Sequence, residues 1–433
     1  MSEVTIGIVA LGVLLALFLT GIELGFGMAV IGFFGLVYVQ SLGSAVNFLA
    51  TDVFETFSSY GLTVIPLFVL MGQIAFTSGI AGKLFAAAHR FMGHIPGGLG
   101  IATVAGATAF KAICGSAPAT TATFASVAVP EMDKYGYSRK LSTGVVTVVG
   151  TLGNLIPPSV LLIILGLITE QSIGKLFLAG IIPGLVIAAL FVGVIIGWCV
   201  INPEMGPPGE RFSWKEKIRF LPEVIWPIVI FLVIMGGMLK GVFSPTEAGS
   251  IGTLAVLIFV VLKRDLNFKK YCQSIVQALN TACMVFILVA GSTVMGHFLA
   301  ATKIPLLAAD WIAGLPLPPW LTMACVIMVF EIGGSFIDDL AFMILAMPIF
   351  FPVAQRLGYD PIWFCIVISV SVMIGVVIPP IATNVFIVRN ITKEPVWVIY
   401  KGAMPFLISL IILMVLLFVF PQICLYLPNK LMM

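Results

Sequence analysis

Gly150-Thr151-Leu152-Gly153-Asn154-Leu155-Ile156-Pro157-Pro158-Ser159 and a second stretch, Gly375-Val376-Val377-Ile378-Pro379-Pro380, decide how the chain is read. Each lies in an apolar run and places a glycine four residues before a Pro-Pro pair. Two consecutive prolines remove two backbone donors and free upstream carbonyls. Unwound backbone at membrane depth is tolerable only where protein or a wet cavity satisfies it. The two stretches also share a register. Pro130, Gly136, Tyr137, Gly153, Pro157 and Pro158 recur at Pro352, Gly358, Tyr359, Gly375, Pro379 and Pro380 with an offset of 222. Gly72, Gly115 and Ser116 recur at Gly291, Gly334 and Ser335 with an offset of 219. One three-residue insertion reconciles the offsets, so the chain reads as an internal duplication.

Composition defines the solvent. Of 433 residues, 60% are hydrophobic and 9% charged, against roughly 25% charged in soluble proteins. Net charge is +3, and no polar stretch is long enough for a soluble domain. A soluble enzyme, a nucleic-acid binder and a secreted disulfide scaffold are all disfavoured. The cysteines (114, 199, 272, 283, 325, 365 and 424) show no CxxC or Cys/His spacing and read as small core residues. No Lys or Arg precedes Lys83, so the first apolar run lacks a signal peptide's basic region and reads as a retained helix.

Apolar runs of spanning length fall near 4–20, 24–40, 62–80, 141–169, 176–200, 222–240, 246–263, 280–300, 361–390 and 402–427, predicting ten crossings. Two more, 97–132 and 318–356, are broken by small polar residues and suit helical hairpins that enter and leave on one side. Cytoplasmic loops retain Lys and Arg. The basic clusters are Lys83 with Arg90; Lys134, Arg139 and Lys140; Arg211, Lys215, Lys217 and Arg219; Lys263, Arg264, Lys269 and Lys270; and Arg389, Lys393 and Lys401. All five fit on the cytoplasmic side, which puts both termini outside and makes the hairpins enter from opposite sides, as in an inverted repeat. The fold expected is an all-α polytopic membrane protein, each repeat carrying a re-entrant hairpin and a Pro-Pro-broken helix.

The first hairpin turns at Cys114-Gly115-Ser116-Ala117-Pro118-Ala119-Thr120-Thr121. With Thr151, Asn154 and the carbonyls freed before Pro157, it offers the oxygen-rich, uncharged cage that suits sodium. The helix restarting after the turn would aim amides at the same space, where an anion is stabilised. The second copy turns at Gly333-Gly334-Ser335-Phe336-Ile337-Asp338-Asp339, and its break is followed by Thr383 and Asn384. Charges within apolar runs cost roughly 2.5–3.5 kcal/mol each, so Lys111, Glu247, Glu331, Asp338 and Asp339 need partners or water. Asp338 and Asp339 are site candidates. Glu247, in Ser244-Pro245-Thr246-Glu247, reads as part of a helix cap. Lys111 could attract a substrate anion, neutralise Glu331 or snorkel to water. The amphipathic stretches 44–60, 81–94, 264–279, 301–316 and 391–401 are expected at the interface, as arms or connectors. Segment 203–216, with Pro-Pro-Gly, reads as a linker between the repeats.

Taken in order, Ile95-Pro96-Gly97-Gly98-Leu99, the Gly115-Ser116 turn with Ala119-Thr120, Ile156-Pro157-Pro158-Ser159, Phe243-Ser244-Pro245-Thr246-Glu247-Ala248, Leu357-Gly358-Tyr359-Asp360-Pro361 and the second Pro-Pro break resemble the large membrane subunit of tripartite ATP-independent periplasmic (TRAP) transporters. The resemblance covers nearly the whole chain. It implies a sodium-driven, elevator-type importer in the bacterial inner membrane, a small four-helix membrane subunit and a periplasmic substrate-binding protein that delivers an organic acid anion. Carried over by position, one sodium site would use Cys114, Gly115, Ser116, Gly153, Asn154, Ile156 and Pro158. Its symmetry mate would use Gly334, Ser335, Gly375, Ile378 and Pro380. Substrate would meet Ser116, Thr120, Asn154, Ser159, Ser335, Asp338, Thr383 and Asn384, with Lys111 a further candidate. Cys114 stands where the family commonly has serine, and Ile378 where threonine usually precedes Pro-Pro.

The expected organisation is N-terminal scaffold helices over 1–60, a first transport repeat over 62–169, central scaffold over 176–263, a second transport repeat over 280–390 and a C-terminal scaffold helix over 402–427. A stand-alone sodium/carboxylate transporter of the same plan is the nearer alternative. An aspartyl protease using Asp338 and Asp339 is disfavoured, because neighbours on a helix point about 100° apart and a proton-sharing pair must face one another. A structural subunit with no transport of its own is the remaining alternative. Sugar acids, dicarboxylates and sulfonates all fit the expected pocket.

Overall fold

The computed structural model describes residues 3–18, 20–336 and 338–432. Those residues form helices and connections, without strands. In chain order the helices are α1 (Glu3–Phe18), α2 (Leu24–Val39), α3 (Leu42–Ser58), α4 (Val64–Thr77), α5 (Ile80–Met92), α6 (Gly98–Lys111), α7 (Ala117–Lys134), α8 (Arg139–Val149), α9 (Val160–Ile168) and α10 (Ile173–Ile201). They continue as α11 (Trp214–Leu239), α12 (Pro245–Leu262), α13 (Phe268–Ala301), α14 (Ile304–Ala313), α15 (Pro319–Phe336), α16 (Asp339–Arg356), α17 (Pro361–Gly375), α18 (Thr383–Thr392), α19 (Val396–Val419) and α20 (Gln422–Leu431).

Both hairpins form where expected, as α6/α7 and α15/α16, and both Pro-Pro breaks interrupt helices, as α8/α9 and α17/α18. The Pro157–Pro158 and Pro379–Pro380 peptide bonds are cis. Among the described residues, seven helices are long and apolar enough to cross a membrane. Six coincide with expected crossings, and the seventh, Pro319–Phe336, is the first arm of the second hairpin. Helix starts follow local chemistry. Ser244 accepts from the Glu247 backbone (3.3 Å) while Glu247 Oε2 accepts from Ser244 N (2.7 Å), so Glu247 does close a capping box.

The basic clusters meet on one face. Lys83 pairs with Asp265, and Lys263 Nζ lies 2.8 Å from Glu223. Arg139 bridges Asp133 (3.0 Å) and Glu394 (3.4 Å), and the Arg90 guanidinium sits 3.5 Å from the Phe220 ring centre. The 203–216 segment is strapped to this face: Gly97 N donates to Gly206 O (2.8 Å), Gly209 N to Gly93 O (2.8 Å) and Ser138 N to Met205 O (3.0 Å). The base of the second hairpin is tied elsewhere, Arg356 pairing with Asp310 of α14.

Packing corrects several expectations. Stretch 264–279 is no separate interfacial helix, since it opens α13, whose 34 residues span ~51 Å at 1.5 Å per residue. Nor is 391–401, which is the end of α18, a short link and the start of α19. Region 402–427 divides at Phe420 into α19 and the short α20. Helices α3, α5 and α14 stand at the remaining amphipathic stretches.

The grouping of helices also departs from the linear partition. Helix α13 packs on α2, α3 and α4, and α4 on α12, so both stand with the segments expected to be scaffold. Helices α10 and α19 pack on α6, α8 and α17, beside the hairpins. Where α8 crosses α19, a methyl added at Gly144 or Gly402 would overlap the other helix's backbone. Small residues at such crossings let helices approach to backbone contact. The result is a half made of α1–α4 and α11–α13 and a half made of α6–α10 and α15–α20, which meet directly, as where α13 packs on α16 and α4 on α9, and also through α5 and α14.

Candidate functional site

Helix α6 ends at Lys111, and α7 restarts at Ala117 with Ser116 as its cap, Ser116 Oγ accepting from Ala119 N (3.3 Å). The break opposite runs from α8 through a tight turn, Gly150–Asn154, to α9. Ser159 caps α9, accepting from Leu162 N (3.4 Å) and donating to Asn154 O (3.2 Å). Three glycines bring turn and break together. A Cβ at Gly115 would lie 2.5 Å from Pro158 O, one at Gly150 would overlap Thr121, and one at Gly153 would fall 2.8 Å from Lys111 Cε. No side chain larger than hydrogen fits these positions without movement.

The second repeat repeats the contact more openly. A Cβ at Gly375 would stand 3.1 Å from the Gly334 carbonyl carbon, and Ile381 N donates to Ser335 O (3.0 Å). Asp338 caps α16, its Oδ1 accepting from Ala341 N (3.2 Å). Pro157 and Pro158 are buried, but Pro379, Pro380 and Ile381 are exposed and Ile378 is half-buried. Ile337 lies outside the described residues, as does the Asp339 side chain.

A cavity of about 130 Å³ lies between the two halves and holds both hairpin turns. Ser116, Ala117, Pro118, Asn154 and Asp338 line it from the hairpin half; Val69 and Gln73 of α4 and Thr281 and Met284 of α13 line it opposite. The Asn154 amide nitrogen is buried and has no hydrogen-bond partner among the described residues. An unpaired buried donor costs roughly 1–3 kcal/mol, so it is a group that awaits an acceptor. Among the described residues, no Lys or Arg lines the cavity. The donors that face it come from the amide ends of α7 and α16 and from Asn154, and Asp338 adds a carboxylate.

Not every sequence candidate reaches this space. Thr120 is buried and donates to Ser116 O (2.9 Å), Ser159 is taken up by its cap, and Asn384 Nδ2 donates to Thr147 O (3.2 Å), tying α18 to α8. Ser335 Oγ turns back onto Ile332 O (2.7 Å), and Thr383 is half-buried at the start of α18. Ile156 and Pro157 face an apolar groove on α6, α10 and α11. Lys111 does not face a substrate space or water: it is fully buried, its Nζ donates to Ser116 O (2.8 Å), and no carboxylate of the described residues lies within ion-pair reach. Pairing with Glu331 is therefore not how its charge is met.

Sequence reasoning passed over Gln73, Thr281 and the pair Asp52–His297. Asp52 is buried, and its carboxylate lies 2.8 Å from His297 Nδ1 at a second, roughly 500 Å³ cavity between α3, α9, α13 and α16. Gln73, beside the repeated Gly72 in an apolar run, was a signal available in the sequence. The Asp52–His297 contact spans 245 positions and left none. Among the described residues, no group of three His, Cys, Asp or Glu side chains is poised to hold a metal.

The fold is that of a membrane transporter built on inverted repeats. A solved transporter, YdaH of Alcanivorax borkumensis, superposes with a TM-score of 0.63 at 12% identity, covering 87% of this chain and 90% of its own. The pattern of the family described as tripartite ATP-independent periplasmic transporter, DctM component, matches residues 11–423. A C4-dicarboxylate TRAP transporter large permease of Pseudomonas aeruginosa is 34% identical over 386 residues, 89% of this chain and 90% of that protein. The sialic acid TRAP transporter large permease of Vibrio cholerae is 30% identical over 416 residues, 96% of each. The chain belongs to the DctM family of TRAP transporter large permeases and is a multi-pass membrane transporter subunit rather than an enzyme.

Proposed function

We propose that this permease imports an organic acid anion across the bacterial inner membrane, driven by sodium and working by an elevator motion. A periplasmic binding protein delivers the substrate, and a small four-helix subunit completes the membrane unit. One observation carries the reading: two helix N-termini and the unpartnered Asn154 amide line a small cavity between the two halves. Helix N-termini stabilise carboxylates without a basic side chain. The relatives named for C4-dicarboxylates and sialic acid, both acids, support that substrate class.

The junction of hairpin turn and Pro-Pro break supplies carbonyl oxygens suited to sodium. Sodium there would also offset Asp338, which otherwise faces the anion across the same cavity. In the elevator, the half α6–α10 with α15–α20 travels as a body against α1–α4 with α11–α13, and α5 and α14 act as the connecting arms. Each net positive charge carried inward adds about 2.3 kcal/mol per 100 mV.

The test is uptake into proteoliposomes holding this subunit and the small subunit, with the binding protein outside. Uptake is expected to need all three proteins and an inward sodium gradient. Sodium-independent uptake would sink the coupling reading. Asn154→Asp, which replaces a donor by an acceptor, is expected to abolish uptake while the protein still inserts; unchanged uptake would remove Asn154 from the site.

A further inference from the structure

We propose that the cation position of the first hairpin junction is filled by the protein itself, by the Lys111 ammonium, while the second repeat has no basic side chain at the matching position. The inference rests on reading the two junctions as symmetry-related cation sites. Lys111 is the last residue of α6, fully buried, with Nζ 2.8 Å from Ser116 O across the hairpin turn. On its other side the ammonium presses on Gly153 so closely that a methyl there would overlap it. The ammonium is thus lodged between the turn and the break, the two elements that would jointly ligate a cation.

A buried ammonium needs compensation. No carboxylate of the described residues pairs with it. The acceptor recorded for it is Ser116 O, and Lys111 itself stands in the last turn of α6. The C-terminal end of a helix favours a cation, and carbonyl ends of interrupted helices are what coordinate sodium in transporters of this kind. The same electronegative corner serves either ion.

The second repeat lacks this device. At the 219 offset the counterpart of Lys111 is Phe330, buried among Phe342, Phe350 and Phe364 with ring centres 5.8, 5.6 and 6.5 Å away. Among the described residues its junction is lined by the glycine pair Gly334/Gly375 with the Glu331 and Ser335 carbonyls. Sodium coupling therefore falls to the second repeat, with the Lys111 side chain lodged in the junction of the first.

The experiment counts radioactive sodium bound at saturation to the purified full-length chain, wild type against Lys111→Ser, with thermal stability measured in sodium and in potassium. The serine variant is expected to bind one more sodium per chain and to be less stable than wild type in potassium, with the deficit reduced in sodium. Lys111→Met, which refills the space without charge, is expected to lose stability in both salts alike. An unchanged sodium count in the serine variant overturns the proposal. If wild type binds none and the variant binds one, the sodium-driven reading of wild type fails while this assignment stands. Should the serine variant be recovered in neither salt, the wild-type count decides: one sodium or fewer is expected, and a second saturable ion overturns the assignment.

Discussion

The crossing of α2 and α13 allows a quantitative test of the packing within the half made of α1–α4 and α11–α13. A Cβ at Gly32 would stand 2.9 Å from both the Met295 Cα and N atoms and 3.0 Å from Val294 C. Ordinary contact begins at 3.4 Å, so Gly32→Ala must open the crossing by about 0.5 Å, and backbone atoms cannot rotate aside. Overpacking of this kind costs about 1–3 kcal/mol. Gly12→Ala in α1 is the control, because nothing lies within 4 Å of its Cβ. Both changes carry the same helix-propensity gain of up to about 1 kcal/mol. The difference between the two variants therefore isolates the crossing. Reversible unfolding of both in detergent, by titration with denaturing detergent, is expected to show Gly32→Ala about 1–3 kcal/mol less stable than Gly12→Ala. Equal stabilities would refute the claim that α2 and α13 meet at backbone distance.

Three further outcomes follow. In a background freed of other reactive cysteines, Thr77→Cys/Ser274→Cys joins α4 to α13 within one half, where the hydroxyls now lie 2.6 Å apart, and oxidation should leave uptake intact. Gly61→Cys/Leu167→Cys joins the two halves, a Cβ at Gly61 lying 3.0 Å from Leu167 Cδ2, and oxidation should block uptake until a reductant is added; the reverse pattern would reject the proposed division into moving and fixed halves. Ser244→Ala removes the capping box of α12 and should lower stability by about 0.5–2 kcal/mol, read as a fall in Tm, and no fall would show the cap to be idle. Burial among Phe85, Tyr135 and Phe212 pushes the His89 pKa down, so the unfolded chain takes up its proton first, and stability should fall as pH drops below about 6.5. His89→Gln should flatten that part of the Tm–pH curve; identical slopes would exclude this histidine as a source.

Much of the site's location was legible because proline and glycine act locally. Pro157-Pro158 and Pro379-Pro380 break a helix whatever surrounds them, and Ser116, Ser159 and Asp338 cap the helices that follow them. Their recurrence at fixed offsets exposed the duplication. Side-chain destinations were less legible. Asn384 was a reasonable ligand by position, but its amide reaches Thr147, 237 residues away. Lys111 offered three sequence readings, and burial against Gly153 matches none of them.

By itself the sequence determined the membrane solvent, the inverted duplication, the two hairpins and the two breaks, since hydropathy and backbone chemistry act within a few residues along the chain. Only the tertiary structure decided which helices form each half, that α4 and α13 pair with α2 and α12 while α10 and α19 pack beside the hairpins, and that the Asn154 amide is left without a partner. The physical reason is that helices in an apolar medium gain nothing from hydrophobic exclusion and associate through close backbone packing. Partners there are chosen by where small residues meet in space, as at Gly32 with Met295 and Gly144 with Gly402, and that meeting has no signature in linear order.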